Sequence, residues 1–95
     1  MILEIAILDV VQGQGPHFEA AFAEAEPLIM GMSGYRGHEL RRCVETASRY
    51  LLLVHWDSLE DHTVGFRGSE LFRQWRTLIG PHFDGAPVVE HYAAR

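Results

Sequence analysis

Two segments of the sequence are apolar on both faces that a β-strand would present, and this feature constrains the fold more than any other. In residues 49–56, RYLLLVHW, successive side chains point to opposite sides of a strand. The set with Leu52 and Val54 and the set with Leu51 are both mainly apolar, and residues 2–11 repeat the pattern. Antiparallel sheets with one solvated face alternate between apolar and polar residues instead. The sequence therefore predicts a sheet that is covered on both faces.

Turn and capping signals divide the chain into the order β-α-β-β-α-β. The predicted strands cover residues 2–11, 35–45, 49–56 and 88–93. Helical spacing predicts a first helix over residues 16–32 that is bent at Pro27, a short helix from Ser58, and a last helix from Ser69 that ends at Gly80. This order is typical of a ferredoxin-like α+β fold, in which an antiparallel sheet carries both helices on one face.

The helices of one such chain can cover only one face of the sheet. The simplest cover for the other face is the same sheet of a second copy, because twofold dimers are the commonest oligomers. We therefore predict a single domain over residues 1–95 whose two protomers form a dimeric α/β barrel. A chain of this size buries only about 60 to 65% of the surface that its unfolded state exposes, which leaves little spare stability.

The composition argues against several functions. The formal net charge is −5 and basic residues do not cluster, so nucleic acid is not expected as a partner. The chain starts without a basic stretch, and no apolar run approaches the roughly 20 residues that span a bilayer, so we predict a cytoplasmic protein without membrane contact. The single Cys43 suits a reducing compartment. The chain contains no Lys and no Asn, which excludes Schiff-base lysine chemistry and an Asn oxyanion donor.

His62 is the candidate catalytic residue. On a helix that begins near Ser58 it shares a face with Leu59, Thr63 and Phe66, so its side chain is expected to point toward the sheet. An imidazole among apolar groups can have its pKa shifted and can act as a base near neutral pH. The alternative is a structural histidine that bonds to a backbone carbonyl.

Three aromatic residues and an arginine are candidate substrate-binding groups. Trp56, Phe66 and Trp75 offer flat apolar walls, and each indole adds one N–H donor. Arg67 is always charged and could pair with a carboxylate or a phenolate. The alternatives are aromatic residues that only pack the core and an arginine that is only solvated.

The other histidines show no metal-binding spacing. His38 is a further substrate-binding candidate, on a strand next to that of His55, which it could approach. Neither an HxH nor an HxxxH motif is present, so no metal site is predicted. His82 and His91 lie near the last strand, where a dimer contact is the default interpretation. The absence of GxSxG, of a phosphate-binding glycine loop and of CxxC argues against hydrolase and nucleotide-enzyme functions.

Three segments carry a family resemblance. The strand-to-helix junction VHWDSLEDH at residues 54–62, SELF at 69–72 and PVVEHY at 87–92 resemble antibiotic biosynthesis monooxygenase domains, and the likeness covers nearly the whole chain. The resemblance implies a dimeric α+β barrel, which agrees with the two apolar strand faces. The family includes cofactor-free oxygenases of anthrone-type polyketides, quinol oxygenases, haem-degrading enzymes and a sugar-phosphate isomerase. It therefore indicates the fold more sharply than the reaction.

The resemblance also implies residue roles. A tryptophan that ends the third strand in many members falls on Trp56. In the haem-degrading branch this residue distorts the porphyrin, while an Asn on the first strand and a His on the last helix complete the site. Here the Asn is missing and the position of that histidine falls at about Arg76. The anthrone-oxygenase branch uses Trp, Arg and His, which this chain keeps, together with an Asn, which it lacks. No cofactor is therefore expected.

Three functions remain, in order of preference. The first is a cofactor-independent monooxygenase that acts on a small electron-rich aromatic such as a quinol or an anthrone, whose anion itself reduces dioxygen, with His62 as the base. The second is a non-catalytic dimeric barrel that binds a small hydrophobic molecule or serves only as a stress-responsive dimer. A cavity filled by the protein's own side chains, with His62 bonded to a carbonyl, would favour it. The third is haem degradation, which the missing Asn and His disfavour.

Overall fold

The computed structural model describes residues 1–95 and has the predicted order of strands and helices. The strands are β1 (Ile2–Asp9), β2 (Tyr35–Arg42), β3 (Arg49–Trp56) and β4 (Val88–Ala93), and the α-helices are α1 (Gly15–Met30) and α2 (Glu70–Ile79). A π-helical segment, Asp61–Phe66, precedes α2, and a 3₁₀ turn, Gly80–His82, follows it. The four strands form one antiparallel sheet in the order β2-β3-β1-β4. The predicted ferredoxin-like α+β fold is confirmed.

Four of the predicted boundaries, in three elements, are wrong by one to three residues. β1 ends at Asp9 rather than at residue 11, because the next two N–H groups bond to carbonyls outside the four strands. β2 ends at Arg42 rather than at residue 45, where the chain turns toward β3. α1 covers Gly15–Met30 rather than residues 16–32, and Pro27 lies inside it.

The largest departure from the prediction is the segment that carries His62. The sequence predicts an ordinary helix from residue 58, whereas the structure has a helical turn that continues as the π-helical segment Asp61–Phe66, in which the N–H of Arg67 bonds to the carbonyl of His62 at 3.0 Å. Because a π-turn holds more residues than an α-turn, the residues that face inward change. His62 is buried as predicted, but the inward placement of Leu59 is wrong, since 40% of this residue is exposed.

Gly34 determines how closely the π-helical segment approaches the start of β2. Its φ is +83°, and a Cβ at this position would lie only 2.1 Å from Oδ2 of Asp61. Both the left-handed backbone and the close approach require glycine. Asp61 is also held by Ser58, whose Oγ accepts a hydrogen bond from the N–H of Asp61 at 3.2 Å. The predicted capping interaction at Ser58 is therefore present.

The hydrophobic core lies between the sheet and the helices. On β3 the face with Val54 and Trp56 is fully buried, as predicted, and on β1 the same side of the sheet carries Glu4, Ala6 and Leu8. The opposite face is aliphatic and only half-buried in the single chain; it presents Leu3, Ile5, Ile7, Leu51 and Leu53. The two faces thus differ in that only one carries buried polar side chains. Neither helix is long and apolar enough to cross a membrane.

Candidate functional site

A cavity of about 430 Å³ lies between the sheet and the helical segments that follow β3. Eleven of its eighteen lining residues are hydrophobic, and the charged or polar side chains among the rest are Glu4, His62, Arg67 and Arg76. Cavities of this size, with apolar walls and a few polar groups, are typical of sites for small molecules. The four polar side chains therefore define the candidate site.

Glu4 is a buried carboxylate that the strand pattern places on the helix side of β1. Its side chain is 7% exposed, and its Oε1 accepts a hydrogen bond of 3.0 Å from Nε1 of Trp56. In the sheet, Glu4 lies opposite Val54 on β3 and opposite His91 on β4. The neighbouring strand β3 thus presents an indole to this carboxylate, and β4 places His91 next to it in the sheet.

His62 lies beside Glu4 and has a partner for each ring nitrogen. Nε2 is 3.3 Å from Oε1 of Glu4, and Nδ1 is 2.7 Å from Nε2 of His91. The ring also stacks on Trp56, with centroids 5.4 Å apart and an angle of 19° between the planes. The inward orientation predicted for His62 is confirmed, and its partners are side chains rather than a backbone carbonyl.

Burial and positive charge keep His62 neutral. Burial, followed by the charges of Arg67 and His91, lowers the pKa of His62 to about 3. Although the distance to Glu4 is that of an ion pair, the neutral ring makes this a contact between an uncharged imidazole and a carboxyl group. Burial also raises the pKa of Glu4, against the effects of the Trp56 N–H and of Arg67. The pKa of His91 is lowered, first by burial and then by Arg67.

These three side chains lie in a row that forms a path with one hydrogen bond, between His62 and His91, and one longer contact of 3.3 Å, between His62 and Glu4. A neutral imidazole donates through one nitrogen and accepts through the other. With Glu4 ionised, His62 can donate to it and accept from His91; with Glu4 protonated, both contacts can reverse. Because His91 is only half-buried, on the edge strand β4, the path leads from the cavity to the surface of the protein.

The second oxygen of Glu4 faces the cavity. Oε1 is the atom that contacts both Trp56 and His62, and no hydrogen bond reaches Oε2. No buried side-chain oxygen or nitrogen in the chain lacks a partner. Oε2 is therefore accessible, and since Glu4 lines the cavity it is available to a bound ligand.

Arg67 and Arg76 lie where the cavity meets solvent, because both line it and both are exposed. Arg67 follows the π-helical segment directly, and its charge acts on Glu4, His62 and His91. Arg76 belongs to α2, and its guanidinium lies 5.9 Å from the ring centre of Phe72. Neither arginine forms a salt bridge within the chain.

The predicted substrate-binding residues divide into two groups. Phe66, Arg67 and Trp75 line the cavity together with His62, and the rings of Phe66 and Trp75 meet edge to face at 5.6 Å. Trp56 does not line the cavity, because Glu4 and His62 stand between it and the open space and occupy its N–H and its face. In this structure Trp56 supports the polar pair instead of forming a wall.

His38 also lies outside the cavity. Its Nε2 is 2.6 Å from Oε2 of Glu26 on α1, and its Nδ1 is 2.6 Å from the hydroxyl oxygen of Tyr35. Both ring nitrogens are therefore used in a contact between β2 and α1. The exposed His55 lies on the opposite side of the sheet, so the expected approach of these two histidines does not occur. A substrate contact for His38 stays a prediction that this geometry does not support.

The sequence analysis missed three residues: Glu4 and Arg76, which line the cavity, and His91, which contacts His62. A signal for Glu4 was present, because of the two carboxylates of β1, Glu4 and Asp9, only Glu4 lies within the strand and shares the parity of the helix-facing Ala6. His91 was assigned to a dimer contact, and no local signal corrects this. Its place depends on the pairing of β4 with β1, which brings together residues 87 positions apart.

The family model for antibiotic biosynthesis monooxygenase matches residues 1–78 of the chain. The Bacillus subtilis protein YczJ, which is uncharacterized, is 46% identical over 92 residues that make up 97% of each chain. A haem oxygenase (mycobilin-producing) of Mycobacterium tuberculosis is 27% identical over 89 residues, covering 94% of this chain and 85% of the relative. The sequence similarity thus extends over nearly the whole domain.

Solved structures have the same fold. A protein from Bordetella bronchiseptica, provisionally described as an antibiotic biosynthesis monooxygenase, superposes with a TM-score of 0.95 at 40% identity, over 99% of this chain and 96% of the other. SnoaB from Streptomyces nogalater, a cofactor-independent oxygenase, superposes with a TM-score of 0.85 at 17% identity, over 99% and 92% of the two chains. At that identity the second likeness concerns the fold alone.

The residues around the cavity do not fit a haem group. Haem iron takes His, Cys, Met or Tyr as its axial ligand in proteins, and of these only His62 lines the cavity, where its Nδ1 is bonded to His91 and its Nε2 lies 3.3 Å from Glu4. The α2 position expected for a haem ligand carries Arg76, and His82 does not line the cavity. The site therefore differs from the haem-degrading pattern in the residues that would hold the iron.

Proposed function

Because this chain belongs to the antibiotic biosynthesis monooxygenase family, we propose that it is a cofactor-independent monooxygenase that acts on a small electron-rich aromatic of the quinol or anthrone type. The observation that carries the proposal is the buried Glu4–His62 pair at the wall of an otherwise apolar cavity of about 430 Å³. Such a substrate needs a dry site and a base, and no bound group is needed to activate oxygen.

The proposed reaction starts with removal of a proton from the aromatic substrate. His62, the predicted base, acts here together with Glu4, whose Oε2 faces the ligand, while the Nε2 contact of His62 allows the proton to pass from the carboxyl group to the ring. The imidazole is poorly basic in the empty site because an imidazolium would be desolvated and close to Arg67. A substrate anion beside it would offset both effects. His91 then leads the proton toward the surface.

The later steps require little from the protein. The substrate anion transfers an electron to dioxygen, and the substrate radical and superoxide combine to a peroxide anion. This anion takes up a proton, in place of the one removed from the substrate, and loss of water from the resulting hydroperoxide leaves a new carbonyl group on the ring. One oxygen atom enters the product and the other leaves as water. The walls formed by Phe66 and Trp75 keep bulk water from the reactive anion, and Arg67 stabilises its negative charge.

The proposal is tested by oxygen uptake with a panel of quinols and an anthrone. The wild-type protein is expected to consume one O₂ per product formed, and an anaerobic sample is expected to form none. His62→Ala should lower the rate strongly, while His17→Ala, at an exposed position on α1, serves as the matched control. Equal rates in the two variants would remove His62 from the reaction, and a wild-type protein inactive on the whole panel would overturn the reaction itself.

A non-catalytic barrel that binds a small hydrophobic molecule is the second candidate. The observation in its favour is that both nitrogens of His62 already have partners in the empty site. The open cavity is compatible with this candidate and argues only against a barrel that binds nothing, which would be expected to fill this space with its own side chains. Saturable binding of an aromatic ligand without oxygen uptake would favour this candidate. For haem degradation, the third, a haemin titration is expected to give no Soret shift.

We also propose that two chains form a homodimer through the aliphatic face of the sheet. Support comes from the half-buried side chains of that face and from Val88 and Tyr92 on β4, which are 56% and 48% exposed. Burying this face would recover roughly 25 cal/mol for each Å² of apolar surface. Light scattering at micromolar concentration is expected to give twice the mass of 10.8 kDa, and a monomer under these conditions would contradict the proposal. A cytoplasmic location stays a prediction.

A further inference from the structure

The cavity connects to a second concavity of different character. This polar groove is lined by Arg73, Arg76, Thr77 and Gly80 and contains no hydrophobic residue. It shares Arg76 and Gly80 with the cavity. Arg76 therefore lies at the junction between an apolar space and a cationic one.

The charges around this junction are not balanced within the chain. Four of the eight arginines form salt bridges, namely Arg36, Arg41, Arg49 and Arg73, whereas the two that line the cavity do not. The carboxylate in the cavity lining is Glu4, which is buried and already bonded to Trp56. A protein of net charge −5 thus presents an opening with two arginines that form no salt bridge within the chain. Such an opening attracts anions from solution.

We propose that the ligand of this cavity is an aromatic acid, whose ring occupies the apolar space and whose carboxylate or sulfonate binds Arg76 at the junction. The guanidinium of Arg76 is held by its contact with Phe72 and offers a planar set of donors that suits such an acid group. The inference uses the proposed function only in treating the cavity as a ligand site. It adds the class of substrate that the site accepts.

The two ends of such a ligand have different tasks. The acid group at the junction fixes the orientation of the ring, and the opposite edge then meets Oε2 of Glu4 within the cavity. The proposed reaction needs a hydroxyl or an acidic C–H at that edge. Simple quinols without an acid group would accordingly be poorer substrates than their carboxylated analogues.

Two fluorescent probes that differ in one acid group test the proposal without any turnover. 1-Anilinonaphthalene-8-sulfonate and N-phenyl-1-naphthylamine share the same aromatic body, and the second lacks the sulfonate. At pH 7 and low salt the wild-type protein is expected to bind the sulfonate roughly fivefold to tenfold more tightly. Arg76→Gln should remove most of this preference and leave the affinity for the neutral probe unchanged. Arg95→Gln removes the same charge at an exposed position outside the cavity, and should change neither affinity.

A further variant establishes where the probes bind. Ala86→Trp, on the exposed loop that lines the cavity, should weaken both probes, whereas a probe on the outer sheet face would not respond. Equal wild-type affinity for the two probes, or an equal response to Arg76→Gln and Arg95→Gln, would overturn the inference and leave the proposed oxygenase reaction intact. A protein that prefers the sulfonate probe but consumes no oxygen would support the inference and contradict the proposed oxygenase reaction. No binding of either probe would also overturn the inference, and oxygen uptake would then decide the function by itself.

Discussion

The protein contains two histidine–carboxylate pairs, and their difference shows what makes a site. His38 contacts Glu26 at 2.6 Å and His62 contacts Glu4 at 3.3 Å, and each ring has a second partner, Tyr35 in one pair and His91 in the other. The first carboxylate is 36% exposed, whereas the second is 7% exposed and lines the cavity. The shorter contact belongs to the pair that joins a strand to a helix. The longer contact, between His62 and Glu4, is the more buried of the two, and it is the one that lies at the wall of the cavity, where a ligand can reach it.

The strongest test of this comparison replaces each histidine by glutamine. His62→Gln is expected to lower the rate of oxygen uptake at least about 100-fold, because a positioned acid–base group typically contributes a factor of 10² to 10⁴. His38→Gln should change the rate less than about threefold, because His38 does not line the cavity. Steady-state oxygen uptake, with circular dichroism to verify folding, measures both. Comparable losses in the two variants would mean that the cavity does not mark the active pair.

The second test measures how the stability of the fold changes as the pH is lowered. Because the pKa of His62 is about 3 in the folded protein and 6.5 in an unfolded chain, the unfolded state binds a proton that the folded state refuses between these values. Stability should therefore fall as the pH drops from 6.5 toward 3, by up to about 1.4 kcal/mol per pH unit. The lowered pKa of His91 has the same sign, and the raised pKa of Glu4 has the opposite sign.

Urea unfolding at pH 7, 6 and 5 measures this slope. The wild-type protein should lose stability over the range, and His62→Gln should be flatter, since the titrating ring is gone. Arg67 contributes to the lowered pKa of both histidines, so Arg67→Gln should give an intermediate slope. Equal slopes in the wild-type protein and in His62→Gln would show that His62 is not kept neutral by its surroundings.

The contrast between the two pairs also explains what the sequence could predict. The strand order and the buried face of β3 follow from periodicities within single segments, in which Val54 and Trp56 alternate with half-buried neighbours. The inward orientation of His62 was predicted from the same kind of pattern, although the π-helical segment changed which of its neighbours accompany it. Local patterns therefore sufficed for the fold and for one residue of the site.

The rest of the site depends on pairing between distant segments. Glu4 and His91 meet because β4 pairs with β1, and Trp56 reaches Glu4 because β3 pairs with the other edge of β1. His38 was predicted as a ligand contact. Its place on a strand next to that of His55 could be inferred from the sequence, whereas its contact with Glu26 on α1 could not. A carboxylate within an apolar strand was the one overlooked signal, and it marks the residue that now defines the site.

The third test removes the charge of each carboxylate. Because burial raises the pKa of Glu4, the fold disfavours its ionised form. Glu4→Gln should therefore stabilise the protein at pH 7 by about 1 kcal/mol while reducing oxygen uptake, as expected where function keeps a destabilising group. Glu26→Gln weakens a partly exposed contact and should cost about 0.5 kcal/mol without affecting uptake. Urea midpoints give both values, and a destabilised Glu4→Gln variant would show that its charge supports the fold.

The smallest expected effect concerns the outer partners of the two histidines. His91→Gln interrupts the path from His62 to the surface and should lower kcat about threefold to tenfold, the range for one lost hydrogen bond, with KM unchanged. Tyr35→Phe removes the corresponding partner of His38 and should leave both constants unchanged. If proton release through His91 limits the rate, His91→Gln should also show a larger solvent isotope effect on kcat than the wild-type protein. A fall in KM alone, or an equal effect of Tyr35→Phe, would place His91 in the structure of the edge strand rather than in proton transfer.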